Sequence, residues 1–384
     1  MMDKPTKRIK AKRGYTLIEA VIGSAIMMIV LVATLSLYVK SNKTSVDQQQ
    51  FSELQHDVRF IMFLMSRDIK SVGAGLPQEF AGYFLEGVNN DPYQSGAVQS
   101  DRLAILGNSD PLTLAIDTYN PGTGTITLEA DEFDRYHYEN ADCLTNPAGY
   151  INRTILILPR PELNNTNGEL GQITGVDINN DQLTFTQINV PLPNGLLPGG
   201  VQADYSGGTV HFIEYKIYWL DVDGSYPGLS EGQDGYLGQE GVLYISQWNP
   251  LSAALEHLPL AQNIEDLQFQ YHGDIDGDQV LDDNNSNGGI DQSDFLNWDN
   301  TTWTNDPTLV AGLRRLRFWI CGRTENPFIS FSGAPPDEVK YIYGKPPIAD
   351  SPQSASADKH KRFLLESIAN LRNMSLNIYN ASTI

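Results

Sequence analysis

Apolar and polar positions follow two patterns along the chain, one near the N-terminus and one over the rest. Ala20–Val39 is a run of 20 residues without a charged side chain, and Lys40 ends it. A helix of that length spans the hydrocarbon core of a bilayer. The first pattern therefore predicts one membrane-spanning helix close to the N-terminus.

The helical pattern continues past the apolar run with a changed spacing. Apolar residues recur at every third or fourth position: Phe51, Leu54, Val58, Ile61, Met65, Ile69 and Val72. The polar residues around this stripe are Gln48, Gln50, Glu53, Gln55, Asp57, Arg59 and Asp68. One apolar face on a helix favours packing against the protein's own sheet. Gly73 and Gly75, followed by Pro77, end a helix predicted from about Thr16 to Val72.

Beyond the helix the pattern changes to short runs of strand-forming residues separated by turn residues. The predicted strands are Arg102–Leu106, Leu112–Ile116, Gly124–Leu128, Thr154–Leu158, Gln182–Ile188, Thr209–Leu220, Val242–Trp248, Leu267–His272 and Leu313–Cys321. Residues 210–219 alternate in places, as a half-buried antiparallel strand does. The predicted fold class is α+β: a long N-terminal hydrophobic and amphipathic helix packed on an antiparallel β-sheet.

Charge is distributed unevenly between the tip of the chain and its body. The net charge is -21; residues 1–14 contribute +5, which leaves -26 for the remainder. A basic tip before an apolar helix stays in the cytoplasm while the body crosses the membrane. The acidic body argues against nucleic acid as a partner, because phosphates need cationic contacts.

The segment between the basic tip and the apolar helix carries a processing signal. A secretory signal is normally cut after its apolar run, whereas here the small residue Gly14 precedes the run. A cut there would remove the leader and keep the helix; the alternative is an uncleaved signal anchor. Gly14 with Tyr15-Thr16-Leu17-Ile18-Glu19 resembles the class III signal of type IV prepilins and type II secretion pseudopilins.

That resemblance implies cleavage after Gly14 by prepilin peptidase and N-methylation of Tyr15, where most members have Phe. It divides the chain into a leader (1–14), a transmembrane and filament-core helix (15–39), an amphipathic continuation (40–73) and a β-rich periplasmic or extracellular domain (74–384). We expect the chain to sit in the inner membrane before assembly, with its N-terminus cytoplasmic, and then in a pilus or at its tip.

Glu19 has a physical role of its own. A carboxylate in an apolar helix is costly without a partner. Cleavage would create a positive amine on Tyr15, and in a filament Glu19 of one subunit would pair with the amine of a neighbour. This pairing would neutralise both charges and set the axial register. The alternative is that Glu19 merely lies at the membrane interface of the monomer.

Several body segments resemble PilW-like minor pilins and, more distantly, the J-type pseudopilins of type II secretion. They are Arg67–Gly73, Ile264–Tyr271, Leu313–Phe318, Lys361–Phe363 and Asn370–Asn373, in the family's order. Residues 78–205 and 221–240 match nothing in that pattern and are interpreted as insertions in a pilin fold. The resemblance implies a minor pilin that helps to initiate or cap pilus assembly and contacts other pilins through its helix. A J-type pseudopilin and a membrane-anchored adhesin are the alternatives.

Two consecutive acidic loops predict a structural Ca²⁺ site. The first has carboxylates at alternate positions around a Gly turn: Asp274, Asp276, Asp278 and Asp282. The second fits an EF-hand-like loop, with Gly288 at position 6 and the oxygen ligands Asp283, Asn285, Asn287, Asp291 and Asp294. Seven Asp residues between 274 and 294 would repel one another without a counterion. The alternative is a solvated acidic turn, since Asp, Asn and Gly are turn formers.

The remaining candidate chemistry is sparse. Cys143 and Cys321 would close one long disulfide loop in an exported domain, or remain two separate buried thiols. The six His residues form no HExxH motif, and the sequence has no GxSxG or P-loop signature. The sequence therefore gives no positive support to an enzyme.

Overall fold

The computed structural model of the chain describes residues 16–74, 76, 84–91, 100–130, 132, 150–160, 168–188, 205–226, 229–249, 254–278, 280–298, 303, 307–325, 348–349, 351 and 360–371. Within these ranges the fold is α+β, as predicted. The helices are α1 (Leu17–Lys70) and the short α2 (Pro307–Ala311). The strands are β1 (Leu85–Val88), β2 (Arg102–Asn120), β3 (Thr125–Leu128), β4 (Thr154–Leu158), β5 (Glu169–Asp177), β6 (Gln182–Gln187), β7 (Thr209–Asp221), β8 (Val242–Asn249), β9 (Ala254–Ala261), β10 (Ile264–Gly273), β11 (Leu313–Arg323) and β12 (Arg362–Asn370).

Helix α1 is continuous over 54 residues, about 80 Å of rise, and so confirms the predicted single helix. Thr16 caps its N-terminus. At its other end Ser71 is the C-cap, and Gly73 adopts the left-handed conformation (φ 67°) that ends many helices. Every residue from Thr16 to Val46 is exposed, so the first half of α1 projects beyond the protein's own sheets.

The second half of α1 packs on a three-stranded antiparallel sheet of order β10-β11-β12. Of the predicted apolar stripe, Phe51 is half-buried and all the later members are buried in the main core. Close approach depends on Gly322 in β11, where a Cβ would lie 2.6 Å from Leu54 Cδ1 and 3.1 Å from Val58 Cγ2. The missing side chain therefore lets the helix settle directly on the central strand.

This three-stranded sheet is built from the segments singled out by resemblance to minor pilins. Residues 264–271 lie in β10, 313–318 in β11, and Arg362, Phe363 and Asn370 in β12. The strands pair in register, with Phe269 opposite Phe318 and Phe318 opposite Ser367. The helix and the sheet that carries it thus come from the two ends of the sequence.

The intervening residues form a second, nine-stranded antiparallel sheet of order β1-β2-β3-β6-β5-β4-β7-β8-β9. Because β7 also pairs with β2, six of these strands (β2, β3, β6, β5, β4 and β7) close into a ring. The ring encloses a core of its own: Leu114, Ile116, Ile126, Leu128, Tyr150, Ile155, Ile157, Ile173, Leu183, Phe185, Tyr205, Val210 and Phe212. The insertion is therefore a closed barrel with β1, β8 and β9 continuing the sheet beyond it.

The strand pattern of the sequence is confirmed for the apolar strands and incomplete for the polar ones. Two predicted runs, 102–106 and 112–116, belong to the single long strand β2, which shifts register between Asn108 and Thr113. Strands β1, β5, β9 and β12 were not among the predicted runs. β5 contains two Gly residues and β9 contains Pro259, which weaken the pattern although both strands are paired.

Asp68 ties the end of α1 to the nine-stranded sheet. The polar pattern of the sequence places Asp68 among the polar residues around the stripe, but its side chain is only 5% exposed. Its carboxylate accepts hydrogen bonds from Tyr218 Oη (2.7 Å) and Lys216 Nζ (3.1 Å) of β7, and pairs with Arg67 (2.9 Å). Burial alone would raise the pKa of Asp68, but the Tyr218 hydrogen bond and the Lys216 charge outweigh it and hold that pKa below its ordinary value.

We predict that Asp68→Asn lowers the free energy of unfolding at pH 7 by about 3 kcal/mol, because it leaves Lys216 without its buried partner. A depressed carboxyl pKa stabilises the folded state above the unfolded pKa, about 3.9, and that contribution is lost as pH falls through the native pKa. Urea titrations of the detergent-solubilised full chain measure the free energy of unfolding at pH 7 and pH 3. The difference between the wild type and Asp68→Asn should therefore be smaller at pH 3 than at pH 7. Asp57→Asn, on the exposed face of α1, is the control. An equal loss at both pH values would contradict this assignment.

Candidate functional site

The described chain begins where the predicted processing site ends. Gly14 and Tyr15 lie outside the described residues. Thr16 and Glu19 form a reciprocal capping box: Glu19 N donates to Thr16 Oγ1 (3.3 Å), and Thr16 N donates to Glu19 Oε2 (2.9 Å). The spacing Thr-x-x-Glu is a recognisable sequence signal for this cap, although the helix was predicted from its apolar pattern alone. Glu19 thus starts the helix of its own subunit while its side chain stays exposed.

The helix beyond this cap presents a long apolar surface. Its exposed large apolar residues are Leu17, Ile18, Val21, Ile22, Ile26, Met27, Met28, Ile29, Val30, Leu31, Val32, Leu35, Leu37, Tyr38 and Val39. This stretch is long and apolar enough to cross a membrane. Two further aromatic residues, Phe60 (52% exposed) and Phe63 (68% exposed), lie on the side of α1 away from the sheet. These two aromatic residues therefore form a separate exposed apolar patch, beyond the segment that a bilayer would cover.

The first acidic loop follows directly from β10 and brings three of its four predicted ligands together. Carboxylate oxygens of Asp274, Asp276 and Asp282 all lie within 4.8 Å of one another. Asp278 is not part of that group; its Oδ1 accepts from Val280 N at 2.8 Å. Gly277 has φ 79°, which makes the sharp turn between the ligands. Carboxylate oxygens at this separation suit a hard cation such as Ca²⁺.

The second loop gathers its predicted ligands through hydrogen bonds. Asp291 accepts from both Asn285 Nδ2 (3.3 Å) and Asn287 Nδ2 (2.8 Å), and Asp283 accepts from Asn287 N (3.1 Å). Asp294, which is fully buried, accepts from Asn285 N at 3.2 Å. Hydrogen bonds from the side chain and backbone of Ser293 hold the pKa of Asp291 below its ordinary value.

The backbone of the second loop also has the predicted shape. Gly288, at position 6, has φ 88°, the conformation that the turn of an EF-hand loop requires of this residue. Among the described residues, however, the carboxylates of Asp283, Asp291 and Asp294 do not form a close cluster like that of the first loop, so the second cation site stays a prediction.

Both loops are fixed to the three-stranded sheet. His272 of β10 contacts the Asp282 carbonyl at 2.9 Å, and Tyr271 and Leu296 exchange backbone hydrogen bonds of 2.7 and 2.9 Å. Arg317 of β11 donates to Gln292 Oε1 at 3.2 Å. These hydrogen bonds couple the conformation of both loops to the sheet that supports α1.

Of the two cysteines, the structure describes Cys321. Cys321 is buried in β11 beside Glu265, whose Oε2 is 4.0 Å from its sulfur. Glu265 in turn accepts two hydrogen bonds from Arg362 of β12, at 2.6 and 2.8 Å. Cys143 lies outside the described residues, so the disulfide stays a prediction.

Comparison with known proteins adds information mainly for the N-terminal segment. A profile of the prokaryotic N-terminal methylation motif matches residues 9–35. The pilin-like protein PilA3 of Thermus thermophilus is 33% identical over 63 residues, 16% of this chain and 27% of that protein. The chain thus aligns with 27% of the length of this curated relative.

Among solved structures, a type IV-like pilin from Thermus thermophilus aligns with 63% of this chain and 98% of its own, at 10% identity and a TM-score of 0.22. That score carries no weight for the fold, which rests on the helix and strand pairing described above.

Proposed function

We propose that this chain, which is type IV pilin-like by its N-terminal segment, is a minor pilin that helps to initiate or cap a pilus. Pilin-like proteins are structural subunits rather than enzymes. The observation that carries the proposal is the division of α1, whose first half is apolar and exposed while its second half is buried on the chain's own sheet. Each exposed aliphatic side chain that becomes buried contributes about 2 kcal/mol, so the first half favours a bilayer or neighbouring helices.

In this proposal the helix has three partners in succession: the inner membrane, prepilin peptidase and, in the filament, other pilins. Before assembly the helix crosses the inner membrane once, with the basic tip in the cytoplasm. During assembly the same surface leaves the lipid and packs against the helices of neighbouring subunits. Phe60 and Phe63 form a second exposed apolar patch on the part of α1 outside the membrane, and so suit contact with a neighbouring pilin rather than with lipid.

Size and architecture favour a minor pilin over a J-type pseudopilin. The barrel and its flanking strands are inserted between α1 and β10, so the sheet that supports the helix stays intact. A subunit with such a bulky insertion fits the end of a filament, where fewer neighbours restrict it. Genes beside this one, for pilus or for secretion components, would separate the two candidates.

Ca²⁺ is the proposed structural cofactor. The three clustered carboxylates of the first loop support this proposal most directly, and the second loop adds an adjacent acidic turn held together by hydrogen bonds to Asp291. In either loop the cation would neutralise acidic residues that otherwise repel one another. Because both loops rest on β10 and β11, bound Ca²⁺ would stabilise the sheet that carries α1.

Processing provides the first test. We expect mass spectrometry of the mature protein to give an N-terminus at Tyr15 with an added methyl group. A Gly14→Leu variant should keep the leader, because prepilin peptidase cuts after a small residue. Retention of residues 1–14 in the wild-type protein would contradict the proposal.

Substitutions at Glu19 separate its two possible roles. Glu19→Gln preserves the hydrogen-bonding pattern of the capping box but removes the charge, whereas Glu19→Ala removes both. If Glu19 pairs with a neighbour's amine, both variants should enter the membrane normally but be depleted from sheared filaments. The expected depletion is about ten-fold or more, because loss of the charged contact costs about 1.4 kcal/mol or more. Glu53→Ala, on the exposed side of the same helix, should be incorporated normally. Normal incorporation of Glu19→Gln would show that Glu19 acts only as a cap.

Removal of Ca²⁺ tests the acidic loops. For the detergent-solubilised full chain, Ca²⁺ at about 100 times its Kd should add about 2.7 kcal/mol to the free energy of unfolding and raise Tm. EGTA should reverse this increase. Asp276→Asn should weaken the effect of the first loop and Asp283→Asn that of the second, whereas Asp223→Asn in another acidic turn should not. A Tm that responds neither to Ca²⁺ nor to EGTA would remove the cation from the proposal.

A further inference from the structure

Strand β7 changes partners along one of its edges. Residues 209–212 pair with β4, and residues 216–221 pair with β8. Between them, Ile213–Tyr215 have no strand partner on that edge among the described residues, although their other edge pairs with β2. The barrel and the flat part of the sheet diverge at this point, and the divergence leaves a notch.

The notch is an open cleft of about 330 Å³. Its floor is the Ile213–Tyr215 segment. One wall is formed by residues 152–154, which lead into β4, and the other by the end of β8 (Gln247 and Trp248). The volume is at the lower end of the range for small-molecule sites. The cleft therefore suits one or two small rings rather than a folded partner.

Planar polar side chains dominate the lining. The Arg153 guanidinium lies over the Phe212 ring, with its Cζ 4.2 Å from the ring centroid. This contact restricts the plane in which the guanidinium donates hydrogen bonds. Glu214 is paired with Lys216 (2.8 Å) yet keeps half of its side chain exposed, and Gln247 offers both a donor and an acceptor. The lining of the cleft thus includes a cation, a carboxylate and an amide.

Trp248 adds an aromatic ring and an unsatisfied donor. Its indole Nε1–H is buried and has no hydrogen-bond acceptor among the described residues. A buried donor without an acceptor is uncommon and calls for an explanation. Trp248 lines the cleft, but because its Nε1–H is buried, the ring rather than the N–H is the part of this side chain that a ligand in the open cleft would contact.

We propose that this cleft binds a sugar residue of a neutral glycan. Neighbouring hydroxyls of a sugar both donate and accept, which matches the forked groups of Arg153, Glu214 and Gln247. The C–H face of a sugar ring is apolar and packs against aromatic rings such as that of Trp248. An anionic polymer is disfavoured by the -26 charge of residues 15–384. The inference deepens the adhesive alternative for this chain, and its biological meaning depends on the proposed display of the body on a pilus.

Binding is measured on the purified full chain, independently of filament assembly. The chain is kept in a detergent without a sugar headgroup, because a glycoside detergent would compete. Saturation-transfer NMR is recorded with free glucose, galactose, mannose and N-acetylglucosamine, and with glucuronate and tetra-alanine as probes of the anionic and peptide alternatives. We expect at least one of the four neutral sugars to bind saturably.

Variants assign the signal to the cleft. Glu214→Gln and Gln247→Ala should each weaken binding of that sugar about ten-fold, since each removes a hydrogen-bonding group. The matched controls Glu231→Gln and Gln187→Ala change exposed residues outside the cleft and should leave binding unchanged. Thermal unfolding of all four variants checks that each is folded. Glu214 contacts Lys216, which is also the partner of Asp68, so Glu214→Gln could lower stability. If it does, Gln247→Ala is the deciding variant.

Three results would overturn the inference: no binding of any neutral sugar, binding that Gln247→Ala does not affect, or preferential binding of tetra-alanine or glucuronate. Failure of the pilin proposal gives a different result, because a chain absent from filaments would still bind the sugar in solution. Conversely, a chain that enters filaments but binds no sugar would refute only the role of the cleft.

Discussion

The apolar surface that the first half of α1 leaves uncovered is the constraint on which the rest of the structure depends. A water-soluble subunit does not keep such a surface in contact with solvent, so the helix needs a bilayer or other helices at every stage. The second half of the same helix is held by its own sheet, aided by the absence of a side chain at Gly322. One continuous helix thus joins an assembly element to a folded domain, without a flexible linker between them.

The folded domain has two parts that share the main core, and the barrel has a second core of its own. The three-stranded sheet supports α1, and the nine-stranded sheet with its closed barrel is inserted before β10. Asp68 connects the two parts, because a residue of α1 accepts hydrogen bonds from Lys216 and Tyr218 of β7. The orientation of the insertion is therefore coupled to the helix by this buried charged contact as well as by the shared core.

The proposed cation loops and the proposed sugar cleft lie on different parts of the fold. The loops extend from β10 and contact β11, the strands under the helix. The cleft lies where β7 exchanges β4 for β8 in the inserted sheet. Stabilisation of the helical support and recognition at the surface would consequently respond to different substitutions, which makes the two roles experimentally separable.

The sequence by itself determined the helix, its two faces, the apolar strands and the positions of the acidic loops, because these follow from periodicity and from the turn chemistry of Gly, Asp and Asn. Only the tertiary structure decided that Asp68 is buried, that β2 and β7 close a barrel, and that Asp274, Asp276 and Asp282 converge while Asp278 does not. Strand pairing joins residues more than 90 positions apart, such as Thr113 and His211, and no local pattern encodes that choice. Burial of a polar residue depends on the partners that those pairings bring to it. The local pattern therefore predicts Asp68 to be exposed, although Lys216 and Tyr218 of β7 cover it in the folded protein.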